Sequence, residues 1–114
     1  MITRLFIYGT LKQGQARSSL LDRQTFLGEA KTEPHYRLFN CAAFPCLVET
    51  EDGVCVEGEL CQVDDACLAL LDQVEAVDSG LFERREVRMV AAEGMEAYFY
   101  RGSVEGLEDC GGTW

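Results

Sequence analysis

The chain has 114 residues, of which 47% are hydrophobic and two are proline, a composition that favours one folded domain over a disordered chain. Ten basic and twenty acidic residues give it a formal net charge of −10. This charge disfavours nucleic acid and anionic membrane as partners, because both are bound mainly through Lys and Arg.

The first part of the chain reads as a series of short strands. Ile2–Tyr8 is β-branched and aromatic and stops at Gly9, which indicates a core strand followed by a turn. Two neighbouring leucines suggest a short helix within residues 16–22. Further strands are predicted at residues 25–31 and 36–40.

The middle of the chain is predicted to form a hairpin. Pro45 interrupts the preceding stretch, so we expect residues 46–50 to be an edge strand or the border of a loop. Asp52-Gly53 is a favourable turn into a second strand at residues 54–63. Gly58, in the middle of that strand, indicates a bulge or the close approach of another backbone.

A helix and a second hairpin follow. The helix is predicted to run from Asp64, its N-cap, to about Glu75. Strands at residues 82–91 and 95–101 are predicted to pair across a turn at residues 92–94.

The predicted domain covers residues 1–104. Residues 105–114 are polar and glycine-rich, and we expect them to form a mobile tail unless Trp114 docks on the domain. Many short strands with one or two helices predict an α+β fold, a small mixed and antiparallel-rich β-barrel flanked by short helices.

The cysteines do not suggest a metal site. They lie at positions 41, 46, 55, 61, 67 and 110 without CxxC spacing, and the chain has a single histidine, so no zinc site is expected. We interpret them as small hydrophobic residues of a reduced protein; disulfides are compatible with this interpretation but not required by it. No apolar run is long enough for a signal peptide or a membrane span, so we expect a cytoplasmic protein.

Glu75 is the candidate catalytic residue. A rotation of about 100° per residue places its side chain between Leu68 and Leu71, inside the apolar arc of the helix. A carboxylate that faces a core is unfavourable unless it is paired or used, and poor hydration raises its pKa toward the range of a general base. The alternative is that Glu75 lies at a frayed helix end, or pairs with Arg84 or Arg85.

The sequence Tyr8-Gly9-Thr10-Leu11, at the end of the first strand, is a second candidate site. Its amide N–H groups could turn outward and form a nest for a carboxylate or a developing oxyanion. A simple turn explains the same residues, since a strand that ends in Gly-Thr is common.

Three motifs in this order resemble the gamma-glutamylcyclotransferase-like superfamily, and most closely its gamma-glutamylamine cyclotransferase branch. They are YGTLKQGQ, FPCLVETEDGVCVEGELCQVD and LALLDQVEAVDSGLFERREV. The resemblance covers roughly residues 4–101. It implies the family fold, a small mixed β-barrel with flanking helices, which agrees with the predicted strands.

The resemblance also implies an activity. Such enzymes, classed as transferases or lyases, cyclise a gamma-glutamyl compound to 5-oxoproline and release the attached amine, with no cofactor and no metal. The Glu of the LD-x-x-E motif, here Glu75, would be the general acid and base. The loop after the first strand, here Tyr8, Gly9, Thr10 and Leu11, would bind the gamma-glutamyl group.

Phe82 and Arg84 are candidate pocket residues in the element that follows the helix. The family commonly carries Tyr in its Y-x-R element, where this chain has Phe82, so a hydroxyl that could hold substrate is missing. Two other interpretations stay open. One is a non-catalytic small-molecule-binding domain on the same scaffold, and the other is a thiol-reactive protein built on the cysteines.

Overall fold

The computed structural model describes residues 2–9, 18–21, 23–41 and 44–113. The strands in these ranges are β1 (Ile2–Ile7), β2 (Thr25–Lys31), β3 (Tyr36–Asn40), β4 (Pro45–Glu49), β5 (Glu57–Asp64), β6 (Phe82–Val87), β7 (Met95–Tyr100) and β8 (Glu108–Gly111). The α-helix, α1, is Asp65–Val74, and a short 3₁₀-helix covers Ser18–Leu21. No helix in these ranges is long and apolar enough to cross a membrane.

The strands form two sheets. The larger has the order β2-β5-β1-β7-β6, in which β1 pairs antiparallel with β5 and parallel with β7. The smaller has the order β4-β3-β8. The predicted first strand is therefore the central strand of the larger sheet, which fixes the position of the loop that follows it.

The outer strands of the larger sheet approach each other at one end. Thr32, just after β2, bridges Met89, just after β6. Two backbone hydrogen bonds flank this bridge, from Glu33 N to Arg88 O (2.9 Å) and from Val90 N to Lys31 O (3.1 Å). The sheet is therefore curled into an incompletely closed barrel, and the predicted mixed, antiparallel-rich α+β fold is confirmed.

β1 separates two hydrophobic clusters because its side chains alternate between the two faces. Leu5 and Ile7 belong to a cluster with Cys67 and Leu71 of α1, whereas Phe6 faces the smaller sheet. The buried members of the first cluster are Leu5, Ile7, Cys46, Cys61, Val63, Cys67, Leu71, Phe82 and Tyr98. This cluster fixes α1 against the sheet.

The predicted helix is confirmed at both ends. Asp64 is the N-cap, and its Oδ1 accepts a hydrogen bond from the N–H of Cys67 at 2.8 Å. Glu75 is the C-cap residue, and the next residue, Ala76, has a positive φ of 51°. The helix therefore stops at Glu75 by a left-handed turn, an arrangement typical of helix ends.

Gly58 makes the close backbone approach that its place in the strand predicted. A Cβ at this position would collide with the carbonyl oxygen of Ile7 and lie 2.7 Å from Cζ of Phe6. Only glycine therefore allows β5 to lie so close to the end of β1 at this point.

The predicted hairpin in the middle of the chain is wrong. The hairpin between residues 46–50 and 54–63 does not form, because β4 pairs with β3 and β5 pairs with β1 and β2. After Asp52-Gly53 the chain touches the smaller sheet at one bridge, between Val54 and Tyr36, and then crosses to the larger sheet. The turn therefore joins two sheets rather than two paired strands.

The predicted mobile tail at residues 105–114 is wrong at residues 108–111, which form β8 and pair with β3. An ion pair between Arg37 of β3 and Asp109 of β8, at 3.1 Å, supports this pairing. Trp114 lies outside the described residues. The last strand is therefore part of the smaller sheet and not an appendage to the domain.

Cys41 and Cys46 form a disulfide, with their Cα atoms 6.2 Å apart. The interpretation of all six cysteines as packing residues is therefore wrong for this pair. It is confirmed for Cys61 and Cys67, which are free and buried in the cluster beneath α1. The disulfide joins the residue that follows β3 to the second residue of β4.

Candidate active site

Tyr8 and Gly9 follow the central strand β1. The hydroxyl of Tyr8, a half-buried residue, donates a hydrogen bond to the carbonyl oxygen of Tyr98 in β7. Gly9 has a φ of +71°, and a Cβ on it would lie 2.6 Å from Cδ of Pro45. Thr10 and Leu11, the other two predicted binding residues, lie outside the described residues.

Glu75 lies at the end of α1, on the side of the helix that faces the sheet. Its N–H donates to the carbonyl oxygen of Leu71 at 2.9 Å, and its side chain is half-buried. The carboxylate lies within electrostatic range of Tyr8, since its negative charge raises the pKa of that phenol. The structure thus brings Glu75 near Tyr8, the first of the four predicted binding residues.

The two tyrosines near Glu75 are held in the neutral form. Burial raises the pKa of Tyr8 well above its usual range, and the negative charge of Glu75 raises it further. Burial also raises the pKa of Tyr98, as do its hydrogen bond to Asp72 and the charge of that carboxylate. At neutral pH both phenols are therefore hydrogen-bond donors beside a carboxylate.

Arg84 lies in an ion-pair cluster next to this site. Its Nε and Nη2 contact the two carboxylate oxygens of Asp72 at 3.0 and 3.2 Å, and its Nη1 contacts Glu96 at 2.8 Å. The hydroxyl of Tyr98 donates to Oδ1 of Asp72 at 2.7 Å. The hydrogen bonds to Asp72, and then those to Glu96, raise the pKa of the guanidinium above its usual value.

The geometry suits a reaction that moves protons at a bound ligand. A half-buried carboxylate lies near two neutral phenols, and acid–base chemistry needs such a group within reach of its substrate. Among the described residues, no group of three or more His, Cys, Asp and Glu side chains could hold a metal ion.

The family model for gamma-glutamyl cyclotransferases of the AIG2-like type matches residues 5–114. The chain belongs to this family. The match includes β8, in agreement with the place of that strand in the smaller sheet.

Individual cyclotransferase relatives agree with this assignment. A protein of Vibrio cholerae that is provisionally named a gamma-glutamylcyclotransferase is 40% identical over 73 residues, which are 64% of this chain and 62% of the relative. The match thus spans less than two thirds of that protein's length.

Two solved structures share the fold over most of the chain. The solution structure of the protein ytfP from Escherichia coli has a TM-score of 0.77 and 29% identity, over 98% of this chain and 96% of that one. The crystal structure of a mouse AIG2-like protein has a TM-score of 0.70 and 25% identity, over 90% of this chain and 78% of that one.

Phe82 marks where this cyclotransferase-family chain departs from the expected Y-x-R element. Its side chain is 3% exposed and packs between the rings of Phe44 and Tyr100, with centroid distances of 6.0 and 5.6 Å. The phenyl ring therefore sits in an apolar aromatic cluster at this position of the family motif.

The sequence did not indicate the roles of Asp72, Tyr98 and Glu96. Asp72 gave one weak signal, because it lies three residues before Glu75 and therefore on a neighbouring part of the helix surface. Tyr98 gave none, since its alternation with Phe99 and Tyr100 is typical of any half-buried strand.

Proposed function

We propose that the protein is a gamma-glutamylcyclotransferase that converts a gamma-glutamyl amide into 5-oxoproline and a free amine, with Glu75 as general acid and base. The observation that carries the proposal is the proximity of Glu75, at the end of α1, to Tyr8, which follows β1. The family supports this class of reaction, and the site offers the proton-transfer group that the reaction needs.

The reaction requires little more than folding the substrate and moving one proton. The substrate's own α-amine attacks its γ-carbonyl carbon, so the nucleophile is already tethered to the electrophile and correct orientation supplies much of the rate enhancement. The new C–N bond closes the five-membered ring, and the bond to the leaving nitrogen then breaks.

Glu75 would transfer the proton between the two nitrogens. The α-ammonium must lose one proton before it attacks, and this proton can pass to solvent. The attacking nitrogen must lose a second proton once the C–N bond has formed, and the leaving nitrogen must gain one before it departs as an amine. A single carboxylate can accept that second proton and donate it to the leaving nitrogen. Its half-buried position beside two neutral phenols favours such a role over that of a solvated surface charge.

The turn after β1 would bind the glutamyl group. We assign its carboxylate, or the developing oxyanion, to the backbone N–H groups at Gly9, Thr10 and Leu11. The tight contact between Gly9 and Pro45 supports a fixed position for Gly9, which a preorganised binding site requires. Tyr8 would remain a neutral donor throughout the reaction.

The leaving amine would be that of a gamma-glutamylamine, the branch that the motifs resemble most. The experiment is a panel of gamma-glutamyl amines and gamma-glutamyl dipeptides, each scored for 5-oxoproline. Glu75→Gln serves as the blank, and Glu93→Gln, the same change in an exposed turn, serves as the control. We expect Glu75→Gln to lose at least about 100-fold in kcat and Glu93→Gln to keep wild-type turnover.

Near-normal release of 5-oxoproline by Glu75→Gln would rule out this mechanism. Phe82 favours one second candidate, a binding domain without turnover, because the family's tyrosine hydroxyl is absent there. Saturable binding of gamma-glutamyl compounds by the wild-type protein, with no 5-oxoproline from any of them, would support that candidate instead.

A further inference from the structure

Tyr98 connects the two halves of the proposed site. Its hydroxyl donates to Asp72 on α1 at 2.7 Å, and its backbone carbonyl accepts the hydrogen bond from the hydroxyl of Tyr8. The same residue therefore contacts the helix that carries Glu75 and the side chain that precedes Gly9.

Arg84 completes the connection from the neighbouring strand. Its bidentate contact engages both carboxylate oxygens of Asp72, and its remaining nitrogen binds Glu96. Bidentate arginine–carboxylate pairs fix orientation as well as charge. The side chains of Arg84 and Asp72 are 26% and 28% exposed, so solvent screens this pair less than it would screen an exposed one.

The contacts of Asp72 with Arg84 and Tyr98 lie near the end of α1, where the helix is least constrained. Asp72 is in the last turn of the helix, three residues before Glu75, and the helix ends at the left-handed Ala76. The terminal turns of helices fray readily. Linking Asp72 to β6 and β7 therefore holds in place the turn from which Glu75 extends.

Arg84 has an electrostatic effect as well as a geometric one. Among the described residues, Arg84 on β6 and Tyr98 on β7 contact Asp72; Arg84 also contacts Glu96, and Tyr98 interacts with Glu75 and accepts the hydrogen bond of Tyr8. An unpaired carboxylate at Asp72 would make ionisation of Glu75 less favourable, since like charges repel. The guanidinium offsets that charge.

We propose that Asp72, Arg84 and Tyr98 are positioning residues that hold the end of α1 and Tyr8 in register, while Arg84 keeps Glu75 available as a base. This inference rests on the proposed function for its catalytic meaning. Its structural content, a link from Tyr98 to both α1 and Tyr8, can be measured without any substrate.

The first test measures the Glu75 carboxyl directly by carbon NMR titration, in wild type and in Arg84→Gln, Arg84→Lys and Arg88→Gln. Arg84→Gln removes the cation, so we expect a higher pKa for Glu75. Arg84→Lys keeps the charge, and we expect a pKa close to wild type. Arg88→Gln makes the same charge change at an exposed residue paired with Glu49 and should leave the pKa unchanged.

The second test is amide hydrogen exchange in Tyr98→Phe, which removes the hydroxyl but keeps the carbonyl that Tyr8 uses. We expect faster exchange of the amides at Glu75 and Val77, whose hydrogen bonds close the end of α1, and unchanged exchange in β5. Thermal unfolding of each variant checks that the fold is intact.

Turnover then separates positioning from general stability. With a substrate from the panel, Tyr98→Phe and Arg84→Lys should lower kcat about 10- to 100-fold with little change in KM. Arg84→Gln should also move the acid limb of kcat/KM to higher pH.

The inference would be overturned if the pKa of Glu75 in Arg84→Gln and the exchange rates of the Glu75 and Val77 amides in Tyr98→Phe both matched wild type. The expected NMR and exchange changes in a protein without turnover would sustain it and refute the proposed function.

Discussion

Pro45 lies directly against Gly9. Cδ of Pro45 is 2.6 Å from the position that a Cβ on Gly9 would occupy, and the φ of Gly9 is +71°. The first residue of β4 therefore lies against Gly9 and leaves no space for a side chain there. The positive φ and the lack of space next to Pro45 would each favour glycine at this position.

Gly9→Ala separates these two conditions when it is compared with Gly106→Ala. Gly106 has a φ of +81° but nothing within 4 Å of the position that a methyl group would take, so alanine there meets backbone strain alone, about 1–2 kcal/mol. Gly9→Ala should lose a further 1–3 kcal/mol or so from overpacking against Pro45. Urea unfolding measures both values, and equal losses would contradict the contact.

The pKa of Tyr8 should report the charge of Glu75. Because the negative charge of Glu75 raises that pKa, Glu75→Gln should lower it. Burial is the larger cause, so the pKa should still stay above the ordinary value for tyrosine. Alkaline titration of Tyr8 by NMR measures the change, with Glu93→Gln as the control. An identical Tyr8 titration in Glu75→Gln would place the two residues apart.

The disulfide between Cys41 and Cys46 should stabilise the start of β4, where Pro45 lies. The enclosed loop is short, with a sequence separation of 5, so loop-closure entropy predicts a loss of about 2 kcal/mol on reduction. Urea unfolding with and without dithiothreitol measures it. Cys41→Ser should have the same free energy of unfolding with and without dithiothreitol. Cys110→Ser should lose stability in dithiothreitol as the wild type does.

Stability should fall at alkaline pH because of Cys61. Burial raises the pKa of its thiol to about 11 from 9.0, and the nearby Cys67 and Glu59 add to the effect. Above pH 9 the unfolded chain loses the proton while the folded chain keeps it, so this contribution to stability is complete below pH 9 and is lost as the pH rises through 11. The free energy of unfolding should fall less between pH 8 and pH 10 in Cys61→Ala than in the control Cys55→Ala, which changes an exposed cysteine.

The parts of the fold that were predictable are those whose signals are local. Helix α1 has an apolar periodicity and a capping Asp64, so both of its ends follow from the sequence. β2 and β3 have turn residues on both sides and were placed with their observed bounds.

Strand pairing depended on distant contacts. The turn at Asp52-Gly53 looks like a hairpin, but β5 gains two partners in the larger sheet, β1 and β2, and burial there decides the pairing. β8 is short and polar, and its partner β3 lies far away in the sequence, so no periodicity marks it.

The site was predictable only in part, for the same reason. Glu75 and Tyr8 are visible in motifs, whereas the partners of Asp72 come from β6 and β7 and are known only once the chain is folded. The disulfide was hidden because Cys41 and Cys46 lack a diagnostic spacing.

The bridge between Thr32 and Met89 makes the barrel unequally rigid around its circumference. Two backbone hydrogen bonds flank that seam, whereas β1 is paired with β5 at six positions and also with β7. Thermal fluctuations should therefore separate the seam more readily than the centre. The barrel should therefore widen first at this seam, while the strand that leads into Gly9 keeps its place.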